Sequence, residues 1–223
     1  VLNGETIKFS DEGHLMDGQH RLKAVVLHGK PVLFTVHFGI PSEFFPTLDE
    51  GKKREARDVL AIEGIHNYSN TASTINFILA HQNGLNNKGN ISHRATNEQV
   101  RDWYYAHPEI EGIVLLAMKW YNISMHMISA SKFGAYYYLF SQLDQSAAED
   151  FLHKLATGEK LTSSSPIYLL RHKLMESKFN RQKKLQSRVE KALIIKAWNY
   201  YRSGRSIKIL KFDAEREKFP VIK

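Results

Sequence analysis

Leu15-Met16-Asp17-Gly18-Gln19-His20-Arg21-Leu22 joins a short β-prone run to a helix-prone one, and the fold of the first part of the chain follows from it. Upstream, Thr6-Ile7-Lys8-Phe9 and His14-Leu15-Met16 flank the turn-forming Ser10-Asp11-Glu12-Gly13, which predicts a hairpin. Downstream, Leu22, Val25 and Val26 recur at helical spacing until Gly29 and Pro31, which predicts a helix opening near Gln19.

Such a helix aims its unpaired backbone N–H groups and the positive end of its dipole at whatever lies above the Asp17-Gly18 turn, which is the chemistry of an anion site. Gly18 permits close backbone approach, Arg21 grips two phosphate oxygens in a planar fork, and His20 donates a hydrogen bond or shuttles a proton. Asp17 repels a bare phosphate, so it suits holding Mg²⁺, accepting a hydroxyl proton, or orienting His20 or Arg21. The same residues admit a plainer reading, in which Asp17 caps the helix while His20 and Arg21 decorate a solvated face.

The stretch Leu15–Leu22 resembles the signature of the ParB/sulfiredoxin-like superfamily, whose turns of this type bind nucleotide phosphates. Within it the chain is most similar to phage and bacterial proteins that carry a DGQHR segment. The resemblance continues through Val32–Phe38 as a further strand and into Asp49-Glu50-Gly51-Lys52-Lys53-Arg54, where such proteins have a D-x-G-x-x-R pattern ahead of a helix, here one with Asp58-Val59-Leu60. It covers roughly the first 65 residues. Ile195-Lys196-Ala197-Trp198-Asn199 also resembles the tail of the phage-type proteins, without an activity attached.

The resemblance implies a nucleoside triphosphate or diphosphate as ligand or substrate: ParB clamps use CTP, sulfiredoxin ATP, and a free-serine kinase ADP. By the resemblance Asp17, Gly18, His20 and Arg21 map onto phosphate-binding and catalytic positions, with Asp17 and His20 as the catalytic pair. Gln19 departs from each relative and is expected to meet phosphate through its backbone; the Mg²⁺ at Asp17 is the expectation from its own charge. Gln19 stands where sulfiredoxin has its catalytic cysteine, and the chain has no cysteine at all, so thiol reductase chemistry is excluded. The Gly-Glu-Arg-Arg type motif of chromosome-partitioning ParB is absent too. A regulator of DNA phosphorothioation with the same pentapeptide is a precedent for DNA binding without catalysis.

Between Arg171 and Lys211 there are 13 Lys or Arg against only Glu176 and Glu190, whereas residues 1–170 carry 15 against 18 acids; the formal net charge of +8 therefore belongs to the C-terminal segment. Arg181, Lys183, Lys184 and Arg188 are expected to open a long helix with Val189, Leu193, Ile194, Ala197, Trp198 and Tyr201 as its apolar stripe. Arg202, Arg205, Lys208 and Lys211 follow, with Gly204 as the helix stop. A basic face this concentrated is the electrostatic footprint of a nucleic acid or other polyanion, and also the composition of an ordinary solvated helix face.

Lys52, Lys53, Arg54 and Arg57 follow Gly51 and form a second basic cluster. Lys52 and Arg54 either complete the anion site beside Arg21, with Asp49 sharing a cation with Asp17, or the helix is simply capped by Asp49 and Glu50 with an Arg54–Asp58 surface pair. The polar 83–90 stretch is the expected boundary between a first domain of residues 1–90 and a second of residues 91–223. In the second, Thr96-Asn97-Glu98-Gln99 has the spacing of a capping box, Gly158 ends a helix from about Gln145, and Ser165-Pro166 opens another. Phe133, Tyr137 and Phe140 have the spacing of core packing.

At 223 residues and 43% hydrophobic content the chain buries a sizeable core. No run approaches the roughly 18 apolar residues of a membrane span, so no membrane partner is expected and the cytoplasm of a bacterium or phage-infected host is the default. The chain opens on Val1 and enters a strand at once, where relatives begin earlier, so an upstream segment is expected. The expected fold is α+β: a small ParB/sulfiredoxin-like mixed sheet followed by an all-α basic region. The expected function is nucleotide or phosphate binding, extending to a Mg²⁺-dependent NTPase or phosphotransferase whose helical region contacts DNA. Alternatives are a non-catalytic DNA-binding regulator and a phage factor that binds a host protein.

Overall fold

The computed structural model describes residues 6–43, 55–82 and 95–223. They form a mixed α+β chain: a three-stranded sheet near the N-terminus, then a predominantly helical region. Two compact units divide between Lys53 and Arg54.

In the first unit β1 (Ile7–Ser10) and β2 (Leu15–Asp17) form the expected antiparallel hairpin, α1 (Gln19–His28) follows, and β3 (Val36–Ile40) returns parallel to β1. The strand order is β2-β1-β3. The turn closes through the Ser10 hydroxyl, which accepts the His14 N–H at 3.0 Å, and the Ser10 N–H, which donates to the His14 carbonyl at 2.8 Å. Phe9 stacks on Phe38 across β1 and β3, with ring centroids 5.2 Å apart. The third strand starts at Val36 rather than Val32: residues 31–35 pair in no ladder beyond the Thr35 carbonyl, which accepts the Ile7 N–H. Ile7 is the buried centre of this unit.

The second unit contains α2 (Ala56–Ile62), α3 (Tyr68–Gln82), α4 (Asn97–Ala106), α5 (Ile110–Ile123), α6 (Ala130–Ser141), α7 (Gln145–Thr157), α8 (Pro166–Phe179) and α9 (Ser187–Arg202). The unit boundary at Lys53/Arg54 differs from the expected break at residue 90. Ile75 and Ile78 on α3 are fully buried in one core with Phe133 and Phe140 of α6, so α2 and α3 belong to the helical unit. Local signals place many helix ends. Thr96 and Gln99 make a reciprocal capping box, Ser165 precedes Pro166 at the first turn of α8, and Gly158 ends α7 with its N–H on the Lys154 carbonyl. The cap of α2 is Glu55, whose N–H donates to Asp58 Oδ2 at 2.8 Å, while Arg57 Nε lies 3.0 Å from Glu55. Asp49, Glu50, Gly51, Lys52, Lys53 and Arg54 lie outside the described residues.

The core centres on α6 and α9. Phe140 and Trp198 stack at 4.3 Å with rings nearly parallel, and Phe151 meets Trp198 edge-on. Phe133, Tyr137 and Phe140 are all buried, as their spacing predicts. The sequence predicts one long helix opening at Arg181; instead α8 ends at Phe179, Arg181–Lys183 make a single 3-10 turn, and α9 starts at Ser187. The break has a side-chain cause: the Asn180 carboxamide caps the short turn by accepting the Gln182 N–H, and the Leu185 N–H donates to the Ser177 hydroxyl. No helix of the described residues is long and apolar enough to cross a membrane.

Candidate functional site

The residues that the sequence singles out for phosphate fall in two groups, one in each unit. In the first, Lys8 and Asp17 are direct cross-strand partners of the hairpin, so the pleat sets their side chains on one face. Asp17 Oδ2 lies 3.7 Å from Lys8 Nζ and 3.2 Å from Arg21 Nη2. Arg21 Nη2 also donates to the Thr6 carbonyl at 2.9 Å. Asp17 does not cap α1; the cap position is Gly18, at φ 103°. The first intrahelical bond runs from the Leu22 N–H to the Gly18 carbonyl, and the Gln19 and His20 amides have no partner among the described residues. Both side chains are exposed.

This turn therefore brings Asp17, Gly18, Gln19, His20 and Arg21 together but commits Arg21 inward, to Asp17 and to the Thr6 carbonyl just ahead of β1. Two cations surround one carboxylate, leaving a net positive charge beside the positive end of the α1 dipole. Mg²⁺ at Asp17 fits these residues poorly: Asp17 already faces two cations, and no group of three His, Asp or Glu among the described residues is placed to hold a metal ion. Lys52 and Arg54 lie outside the described residues, so their convergence on Arg21 does too.

The second group is the six basic residues Arg181, Lys183, Lys184, Arg188, Arg202 and Arg205, of which only Arg188 and Arg202 lie on α9, and they do not act alike. Lys183 Nζ is 2.5 Å from Glu176, so the basic charge of that turn is partly spent. Lys184 is exposed. Arg188 turns into the fold, donating to the Ala214 carbonyl at 2.7 Å and lying 5.7 Å over the Phe212 ring. Arg181 is exposed on the 3-10 turn, well before the start of α9. Arg202 and Arg205, by contrast, line one concavity of about 700 Å³ with Lys196, Asn199, Tyr200, Ser203, Pro220, Val221 and Lys223. No acidic residue lines it, and Arg202 and Arg205 have no carboxylate partner among the described residues. Gly204 makes this possible. At φ 66° it donates to the Tyr201 carbonyl while Arg205 N–H reaches back to the Tyr200 carbonyl, and this helix-ending turn lets Arg205 line the same concavity as Arg202.

Lys196 and Lys223 complete the concavity and escape a reading based on charge runs. Lys196 was legible in principle, since Lys196, Asn199, Tyr200 and Ser203 fall three, four and seven apart on one helical face. Lys223 was not, because its place depends on the C-terminal segment running alongside α9. That segment is tied down at several points: Lys196 to Glu217 at 2.6 Å, Asn199 Nδ2 to the Val221 carbonyl at 2.8 Å, Lys223 N–H to Asn199 Oδ1 at 2.9 Å, and Trp198 Nε1 to the Lys223 carbonyl at 3.0 Å.

On the other side of the same segment lies a second concavity of about 690 Å³, lined by His81, Arg188 and residues 214–221; Pro220 and Val221 are common to both. Burial, and then the neighbouring Lys191 ammonium, hold the His81 imidazole below its usual pKa. Burial and the nearby Lys132 likewise lower that of Lys191, which sits 5.3 Å over the Phe77 ring. Lys132 itself pairs with Glu190 across α6 and α9.

No protein-family model, no curated protein and no solved structure matches this chain.

Proposed function

We propose that this chain is a nucleic-acid-binding protein that grips the phosphate backbone through the end of α9. The observation that carries this is the shared concavity of Arg202, Arg205 and Lys223, which has no acidic lining residue and whose fourth cation, Lys196, is paired with Glu217. Two guanidiniums lining one concavity present planar donor forks suited to phosphate oxygens. The excess of basic residues between Arg171 and Lys211 supports the same reading.

The test is nucleic-acid binding by anisotropy across a salt series, with Arg202→Ala/Arg205→Ala compared with Lys183→Ala. The double variant is expected to weaken binding and to reduce the salt slope by about 1.4 to 1.8. Lys183→Ala, which removes a cation already paired with Glu176, is expected to change both much less. Equal loss in the two variants would place the interaction elsewhere.

A second reading, favoured by the open Gln19 and His20 amides above Gly18 and supported by the ParB/sulfiredoxin-like resemblance, is a nucleotide phosphate bound at the start of α1. Thermal-shift titration with ATP, ADP, CTP and GTP, with and without Mg²⁺, tests it. A selective shift that is lost in His20→Ala, with the unliganded melting temperature unchanged, supports a site there. Absence of any shift rejects it.

A further inference from the structure

Resting on the nucleic-acid reading above, we infer that the nucleic acid held along α9 is a single strand, its phosphates on Arg202, Arg205 and Lys223 and a base stacked on Tyr200. A duplex reader offers an exposed helix to a major groove roughly 12 Å wide. α9 offers no such face: Ala192, Leu193, Ile194, Ile195, Ala197 and Trp198 are all at most 2% exposed and pack in the core, and the C-terminal segment covers another flank. The unpaired cations Arg202, Arg205 and Lys223 stand exposed around an open concavity at the end of this covered helix, not along an exposed helix face that could enter a groove.

The rest of the lining fits the same ligand. Tyr200, Pro220 and Val221 put aromatic and apolar surface among the cations, and Tyr200 is half-buried, so its ring is held by the protein with part of its surface open. Duplex DNA hides its base faces in the stack; a single strand presents them, and aromatic side chains among backbone-tracking cations are how single strands are held without sequence preference.

Past Pro220 and Val221 the second concavity extends this track toward His81 and Arg188. From Arg188 to Arg202 α9 rises about 21 Å, enough for a strand of a few nucleotides. The second concavity also contains Glu215 and Glu217, of which Glu217 is neutralised by Lys196, so the anchor is the first concavity and the second is a weaker extension.

The test measures anisotropy of a labelled thymidine 20-mer and of a duplex of the same length, with the full chain at several salt concentrations. The single strand is expected to bind at least tenfold more tightly. Tyr200→Ala is expected to weaken single-strand binding by about five- to a hundredfold with the salt slope unchanged. Tyr200→Phe, which keeps the ring and the fold, is expected to bind as the parent does. Circular dichroism and melting of each variant separate lost stacking from lost folding. Duplex binding equal to or tighter than single-strand binding would overturn the inference and leave the nucleic-acid reading standing. A Tyr200→Phe variant as weak as Tyr200→Ala would overturn the stacking role. Binding of neither ligand would reject both readings.

Discussion

Gly18 stands so close to Ile7 that a Cβ on it would lie 2.5 Å from Ile7 Cδ1, and its φ of 103° is one that L side chains rarely adopt. The glycine at the centre of the DGQHR turn thus has a structural task of its own: it lets the start of α1 rest on the buried residue of β1. A glycine that looks phosphate-directed in sequence is required here by packing as well.

Gly18→Ala is expected to destabilise the first unit by about 1–3 kcal/mol, from the strained backbone and the clash together. Ile7→Val, which removes the Cδ1 atom in question, should recover part of that loss in the double variant, though it is mildly destabilising alone. Denaturant unfolding of the four proteins measures the coupling. Strict additivity would show that Ile7 is not the obstacle.

Arg21 ties α1 to the hairpin, so Arg21→Ala should cost about 1–2 kcal/mol of stability even without ligand. Arg21→Lys keeps a charge near Asp17 but loses the guanidinium fork that serves Asp17 and Thr6 together, and should fall between. A melting temperature identical to the parent in Arg21→Ala would mean that the guanidinium is not engaged internally.

Asp150 joins α7 to α9 by accepting from Tyr201 Oη at 2.5 Å and from Lys154 Nζ at 2.7 Å. Burial acts to raise its pKa, but the bonds from Lys154 and Tyr201 outweigh it and hold the carboxyl below its ordinary 3.8. A lowered folded-state pKa means that the unfolded chain binds the proton more tightly. The stabilisation is therefore present above about pH 4 and is lost as pH falls through the folded-state value. Asp150→Asn should flatten the acid limb of the stability profile, measured by unfolding at stepwise lower pH. An unchanged limb would assign it to other carboxylates.

His81 is held below its ordinary 6.5 by burial and by Lys191. Its stabilising effect, that of a neutral buried imidazole, is present above 6.5 and lost as pH falls through its folded-state pKa. Titration of the His81 ring by NMR should show the depression, and Lys191→Met should relieve part of it. No upward movement in that variant would remove Lys191 as a cause.

Trp198 stacks on Phe140 and is fully buried, with Phe151 against its edge. Trp198→Ala should destabilise the helical unit by about 3–5 kcal/mol, seen in the melting temperature and in the near-ultraviolet dichroism of the aromatic cluster. Trp198→Phe should cost less, although it also loses the Nε1 bond to the Lys223 carbonyl that helps hold the C-terminal segment.

What the sequence determined by itself is what depends on neighbours a few positions away. The Ser10–Gly13 turn, the start of α1 at Gln19, the Thr96–Gln99 box, the Ser165-Pro166 opening and the Gly158 stop are each settled by backbone bonds within one turn, so residue type and spacing suffice. Tertiary structure decided where each charge is spent. It turned Arg21 toward Thr6 and Arg188 toward Ala214, paired Lys183 with Glu176, and left Arg202 and Arg205 to share a concavity with Lys196 and Lys223. It also set α2 and α3 in the helical unit, because the polar 83–90 stretch reads as a break while Ile75 and Ile78 pack in the later helices' core. Long side chains carry cations several ångströms from their backbones, and their partners are fixed by contacts between residues far apart in the chain, which no local pattern encodes.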